Sequence, residues 1–257
     1  MRYWLSAVLV LVLGAGANAA PAGEQDRPAS IQVPQANPDF LFGRPEGSVS
    51  VRGSWVFSRA SSDWYDFVSD QLTIDKGAFS APGVGFDVGV SLTPRLDVVG
   101  GLDYNFKKIN SEYRRLVDNN RLPITQLTDM RGVNLSGSLK YALTPRGREV
   151  GRLAWVPNAV VPFVGAGGGV YWFRLRQTGD FVDYVDLSVF TDRFEAAGWT
   201  PSAHVFGGAD IQLVNRLYLT MEARYLWAAG QLGSTWIDFD PIDLSGFRLS
   251  TGINILF

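Results

Sequence analysis

The last twelve residues, Gly246-Phe-Arg-Leu-Ser-Thr-Gly-Ile-Asn-Ile-Leu-Phe257, alternate between two faces and stop on an aromatic ring. Phe247, Leu249, Thr251, Ile253, Ile255 and Phe257 make an apolar face. Arg248, Ser250, Gly252 and Asn254 make a small polar one, and only Leu256 breaks the pattern. Period-two alternation is the signature of a β-strand with a different environment on each side. About ten such residues, tilted, are what one strand of a barrel needs to cross a bilayer. A strand of this kind leaves its backbone edges unpaired, so the chain must supply others.

Seven further alternating runs occur upstream, at 49–57, 84–92, 96–106, 133–143, 161–173, 203–213 and 217–227. Their connections differ in a regular way. Thr93-Pro94-Arg95 and Val214-Asn215-Arg216 are tight turns, and 145–159 is a longer link on the same side. The connections near 58–82, 108–131, 176–201 and 230–245 are long. Up-and-down topology sends every second connection to the same rim, so all the long ones fall on one side, as in outer-membrane barrels. The pattern predicts an all-β fold: an eight-stranded antiparallel up-and-down transmembrane β-barrel with four long extracellular loops.

Aromatic placement points the same way. The four strands that run toward the long loops end their apolar faces on Trp55/Phe57, Tyr104/Phe106, Tyr171/Phe173 and Tyr225/Trp227. Rings with an apolar body and a polar tip favour the bilayer–water interface, so these eight residues are expected to form an outer girdle. Tyr141, Phe163 and Phe257 would supply a sparser inner one.

The opposite faces are mainly Ser, Gly, Asn and Ala, with few of the long polar side chains expected on a solvated strand. Small residues suit a narrow eight-stranded lumen, which sets this chain apart from a soluble lipocalin-like barrel. Those faces also carry charge of both signs: Arg52, Asp87, Asp97, Asp103, Lys140, Asp210, Glu222, Arg224 and Arg248, with Lys107, Arg174 and Arg176 nearer one end. A lysine or arginine facing lipid at mid-depth costs about 2–4 kcal/mol. Pointed inward, the same charges can pair across strands roughly 4.8 Å apart. Arg52, Asp87, Glu222 and Arg224 are expected near mid-height, with Asp97, Lys140 and Asp210 lower.

The start of the chain reads as a secretory signal peptide over 1–19: Met1-Arg2, an apolar run over 3–13 and Ala17-Asn18-Ala19 as an A-x-A cleavage site. Residues 20–46 are Pro-rich and aperiodic, an extended periplasmic segment, and 47–257 is the barrel domain. The chain has no Cys, which removes disulfides and thiolate metal sites. A net charge of −2 gives no general attraction to nucleic acid.

Signal peptide, eight strands, one-sided long connections, charged lumen and terminal Phe257 together resemble the small eight-stranded Gram-negative outer-membrane barrels of the OmpA, OmpX and OmpW type. The resemblance covers 47–257 as an architecture. It implies location in the outer membrane, contact with outer-membrane lipid and lipopolysaccharide, a monomer, and Phe257 as part of the signal read by the barrel assembly machinery.

Chemistry is thin. Ser202 and the only histidine, His204, lie two apart on one face, and a lipid-modifying hydrolase would need them with an acid; no acid is obvious beside them. Acidic residues collect in the first, third and fourth long connections (Asp63, Asp66, Asp70 and Asp75; Asp180, Asp183, Asp186, Asp192 and Glu195; Asp238, Asp240 and Asp243) without the spacing of a calcium loop. The second connection is basic, with Lys108, Arg114, Arg115 and Arg121 available to lipopolysaccharide phosphates. Gly165-Ala-Gly-Gly-Gly169 lies within a strand and lacks the Lys and helix of a phosphate loop. The expectation is a non-enzymatic barrel, without cofactor or metal, in a structural or cell-surface interaction role. A narrow channel for small or apolar solutes is the alternative, and a lipid-modifying hydrolase the second.

Overall fold

The computed structural model describes residues 41–257 except 119, 151–153, 184–185, 187, 234–235 and 237–238. The signal peptide, residues 20–40 and Asp238 lie outside the described residues. Eight long strands are present: β1 (Gly47–Ser58), β2 (Ala81–Ser91), β3 (Leu96–Val117), β4 (Pro123–Ala142), β5 (Val160–Val182), β6 (Val189–Val214), β7 (Leu217–Gly230) and β8 (Gly246–Leu256). Each pairs antiparallel with its chain neighbour, and β8 pairs with β1, so the sheet closes on itself. Closure removes both edges and satisfies the backbone within the ring. At the seam the Phe257 amide donates to the Gly47 carbonyl at 3.0 Å, and the Glu46 and Gly47 amides donate to the Phe257 carbonyl, each at 2.9 Å.

Outward residues are apolar over a band around the ring, among them Val51, Val84, Phe86, Leu102, Leu135, Leu139, Met221, Leu249 and Ile255, all exposed. Inward residues are small, polar or charged. This inside-out distribution is that of a barrel whose solvent is lipid.

Strand β5 departs from the expected facing. Val161, Phe163, Tyr171 and Phe173 are buried in the interior, while Val160, Val164 and Val170 point outward. Tyr171 and Phe173 therefore do not belong to an outer girdle; Arg174 and Arg176, expected on the lumen face, sit on the outward one. The reason is that β5 is apolar on both faces, so its alternation fixes no direction. Packing does. Cβ atoms on Gly165, Gly167 and Gly169 would lie 2.3 Å from the Phe206 ring, 2.3 Å from the Gly137 carbonyl oxygen and 2.1 Å from the Leu135 carbonyl oxygen. A Cβ on the outward Gly168 meets nothing nearer than the Ser202 carbonyl at 3.2 Å. Gly169→Ala should thus lower the stability of the folded barrel by about 1–3 kcal/mol, and Gly168→Ala should change it by less than about 0.5 kcal/mol. Urea midpoints in lipid vesicles measure both; the reverse ranking would restore the other facing.

Two of the long connections are mostly strand. β3–β4 and β5–β6 continue as hairpins whose pairing extends to Val117 and Pro123 and to Val182 and Val189. Above the apolar band both sides of a hairpin can be polar, so Lys108 to Val117 and Pro123 to Arg131 lack the contrast that marks a membrane strand. The other two connections fold over the barrel mouth. Helix α1 (Asp63–Gln71) buries Trp64, Tyr65 and Val68 and leaves its acidic side to solvent. At the opposite end, Gly147–Val150 and Ala154–Pro157 form a small sheet with Leu41–Phe42.

Candidate functional site

Inside the ring the charged side chains from β1, β2, β3, β7 and β8 converge. Arg52 lies 2.9 Å from Asp87, 3.1 Å from Asp103 and 2.8 Å from Glu222. Arg224 reaches Glu222 at 2.9 Å and Asp103 at 3.4 Å, and Arg248 reaches Asp103 at 2.6 Å. Three guanidiniums thus meet three carboxylates, and Asp103 touches all three cations. Interior groups at low dielectric are costly unless paired in this way. The Arg224 guanidinium also stands 5.0 Å over the Phe206 ring, a cation–π contact.

A second set closes the lower end. Lys140 pairs with Asp210 at 2.7 Å and lies 3.8 Å from the centre of the Phe163 ring, while the Thr220 hydroxyl donates to Asp210 at 2.6 Å. Asp97 is gripped from below by Arg146, which also donates to the Ser91 hydroxyl at 2.8 Å. Arg146 was not among the expected lumen charges; it comes from the aperiodic 145–159 link, where no alternation reports which way a side chain points. Lys140, Asp210, Tyr218 and Arg146 help line a small polar cavity at this end of the barrel, with room for water.

The outer mouth is shut by an apolar core. Ala60, Trp64, Tyr65, Val68, Leu72, Ile74 and Phe79 from the first connection pack with Tyr171, Phe173, Leu175, Ala196, Leu226 and Ala228 of the wall and with Leu232 and Ile242 of the last connection. Tyr171 and Phe173 are wall residues of this core, and the Tyr171 hydroxyl donates to Asn105 at 3.1 Å. Asp243 latches the two connections together. Its carboxylate accepts from the Ser61 hydroxyl at 2.6 Å and the Ser245 amide at 2.9 Å, and the Tyr65 hydroxyl donates to its carbonyl at 3.0 Å. Burial by itself would raise this carboxyl's pKa; the hydrogen bonds from Ser61 and Ser245 outweigh it and hold Asp243 below the ordinary carboxylate value, so the latch is ionised at neutral pH.

Ser202 and His204 are both interior but are not partners. The Ser202 hydroxyl donates to Asn134 at 2.8 Å, whereas His204 Nε2 pairs with the Ser138 hydroxyl at 2.8 Å. Among the described residues no group of three acids or histidines converges as a metal site. The acids of the connections are dispersed: Asp63 accepts from the Asp240 amide at 3.1 Å, Asp180 from Thr191 at 2.6 Å, and Glu195 pairs with Arg176.

Of the expected girdle, Trp55, Phe57, Phe106 and Trp227 are exposed on the outside, with Tyr104 and Tyr225 half-exposed beside them. Trp172, Trp199 and Phe247 stand with them on the outward face. Trp199 lies in a stretch that reads as loop, and Trp172 on the face of β5 that the alternation assigns to the lumen. Phe257 is exposed at the lower rim.

No protein-family model matches the chain, and no curated protein matches it. Among solved structures it is similar to Neisserial surface protein A, with a TM-score of 0.46 and 13% identity over 82% of this chain and 97% of that one. It is also similar to the attachment invasion locus protein Ail of Yersinia pestis, at 0.42 and 10% over 83% and 100%. The N-terminal β-barrel domain of Pseudomonas aeruginosa OprF follows at 0.34 and 12% over 83% and 100%. The ring itself is established by the strand registers of this chain.

Proposed function

We propose that this protein is a closed, non-enzymatic barrel of the Gram-negative outer membrane whose work is done at the cell surface, by the cap and the tall hairpins that stand above the leaflet. The observation that carries this reading is the double closure of the lumen. An apolar plug seals the mouth, and paired charges fill the middle and the base. Opening a path for solute would require breaking ion pairs in the interior and dismantling the core around Trp64. The apolar outward band supports the membrane location, and the separation of Ser202 from His204 supports a role without hydrolysis.

The test is planar-bilayer recording on protein whose gel mobility shifts on boiling, the mark of a folded barrel. We expect no steady conductance. Sustained ion flux from folded protein would replace this reading with the channel.

A further inference from the structure

The basic residues of the second connection are mostly engaged within the protein. Arg114 donates to the carbonyls of Ser69 at 3.1 Å and Leu72 at 2.6 Å, and Arg115 lies 3.9 Å from Asp70. Lys108 of that group stands on the outward wall within the ladder of β3 and β4, and there it has company.

Along the outward face of β3, β4, β5 and β6 the registers stack four rows. Tyr104, Val133, Trp172 and Trp199 form the lowest. Above them come Phe106, Arg131, Arg174 and Ala197; then Lys108, Asp129, Arg176 and Glu195; then Asn110, Leu127, Thr178 and Arg193. Neighbours within a row are about 5 Å apart and rows roughly 7 Å apart. Five cations therefore share one small patch with two carboxylates, directly above an aromatic row.

The carboxylates hold some of these cations in place. Asp129 accepts from Arg131 at 3.0 and 3.1 Å, and Glu195 accepts from Arg176 at 3.0 Å and also from Arg193. Lys108 is 4.0 Å from Asp129. Arg174 sits between the two acids, and among the described residues it has no ion pair; its buried Nε has no hydrogen-bond partner. Five cations against two carboxylates leave the edge of the apolar band short of negative charge, which calls for an anion there, and the planar fork of Arg174 fits phosphate oxygens.

We propose that this face binds the phosphorylated headgroup of a glycolipid of the surrounding outer leaflet, with Arg174 as the anchor and Lys108 and Arg176 beside it. The inference rests on the membrane reading above. A glycolipid suits the patch because its phosphate would meet the cations while its acyl chains lie along Trp172 and Trp199 below, whereas free phosphate uses only half of the surface.

Protein in neutral detergent micelles is titrated with fluorescent lipid A bearing its phosphates, and energy transfer from the tryptophans is read. We expect saturable binding, at least tenfold weaker for K108Q/R174Q/R176Q and for dephosphorylated lipid A, and unchanged for Arg115→Gln. Should the triple variant lose its boiling shift, Arg174→Gln alone serves, because that side chain makes no ion pair among the described residues; at least threefold weaker binding is expected. Equal affinity of wild type and Arg174→Gln, or equal binding of dephosphorylated lipid A, overturns the proposal. Wild-type protein that stays soluble without detergent and shows no boiling shift overturns the membrane reading instead.

Discussion

Asp103→Leu should lower the stability of the folded barrel by about 3–5 kcal/mol, the scale of breaking a buried ion pair from one side. Asp103 is 2% exposed and, among the described residues, is the only carboxylate that touches Arg52, Arg224 and Arg248 together. Its loss leaves Asp87 and Glu222 to balance three guanidiniums, and Arg248 keeps no ion pair among the described residues. The cost comes from the stranded charge, since the leucine itself can pack. Asp103→Leu combined with Arg248→Met restores the balance and should recover most of the loss. Urea unfolding from lipid vesicles, followed by tryptophan fluorescence, measures both variants. A single variant within about 1 kcal/mol of wild type would mean that water reaches the network and screens it.

Trp64→Ala should cost about 3–5 kcal/mol as well, but of the cap and not of the ring. Trp64 is fully buried, with ring centres of Tyr65, Phe79 and Trp236 at 5.1, 5.8 and 6.0 Å. The strand pairings that close the ring do not include it, so the barrel should keep its boiling shift while the first connection, 59–80, becomes a substrate for added protease. Trp64→Phe should show much less of this effect. The indole Nε1 has no hydrogen-bond partner, so phenylalanine gives up volume alone. Loss of the boiling shift in Trp64→Ala would show instead that cap and ring unfold as one unit.

The eight strands were legible because lipid on one side and packed polar atoms on the other impose contrast at every second residue. Seven strands could be faced from that contrast. β5 could not, since Val160, Val164 and Val170 match Val161, Phe163 and Tyr171, and only the crowding at Gly165, Gly167 and Gly169 decides between them. Reading charge by face sets Arg52, Asp103 and Glu222 on the inner wall. Their pairing was beyond the sequence: Arg52 and Glu222 are 170 residues apart and meet only because β8 closes the ring between them. Arg146 and the cap carry no alternation at all, and their positions follow from contacts that exist only once the wall has formed.

The strands are of two lengths. β1, β2, β7 and β8 have 12, 11, 14 and 11 residues, whereas β3, β4, β5 and β6 have 22, 20, 23 and 26. One half of the ring is therefore tall and the other low. A neighbour drifting in the leaflet meets a polar wall on one bearing and the flank of the cap on the other. Crowding alone would then favour some headings of the barrel about its own axis, so that even a lone protomer presents the same profile to each side of its surroundings.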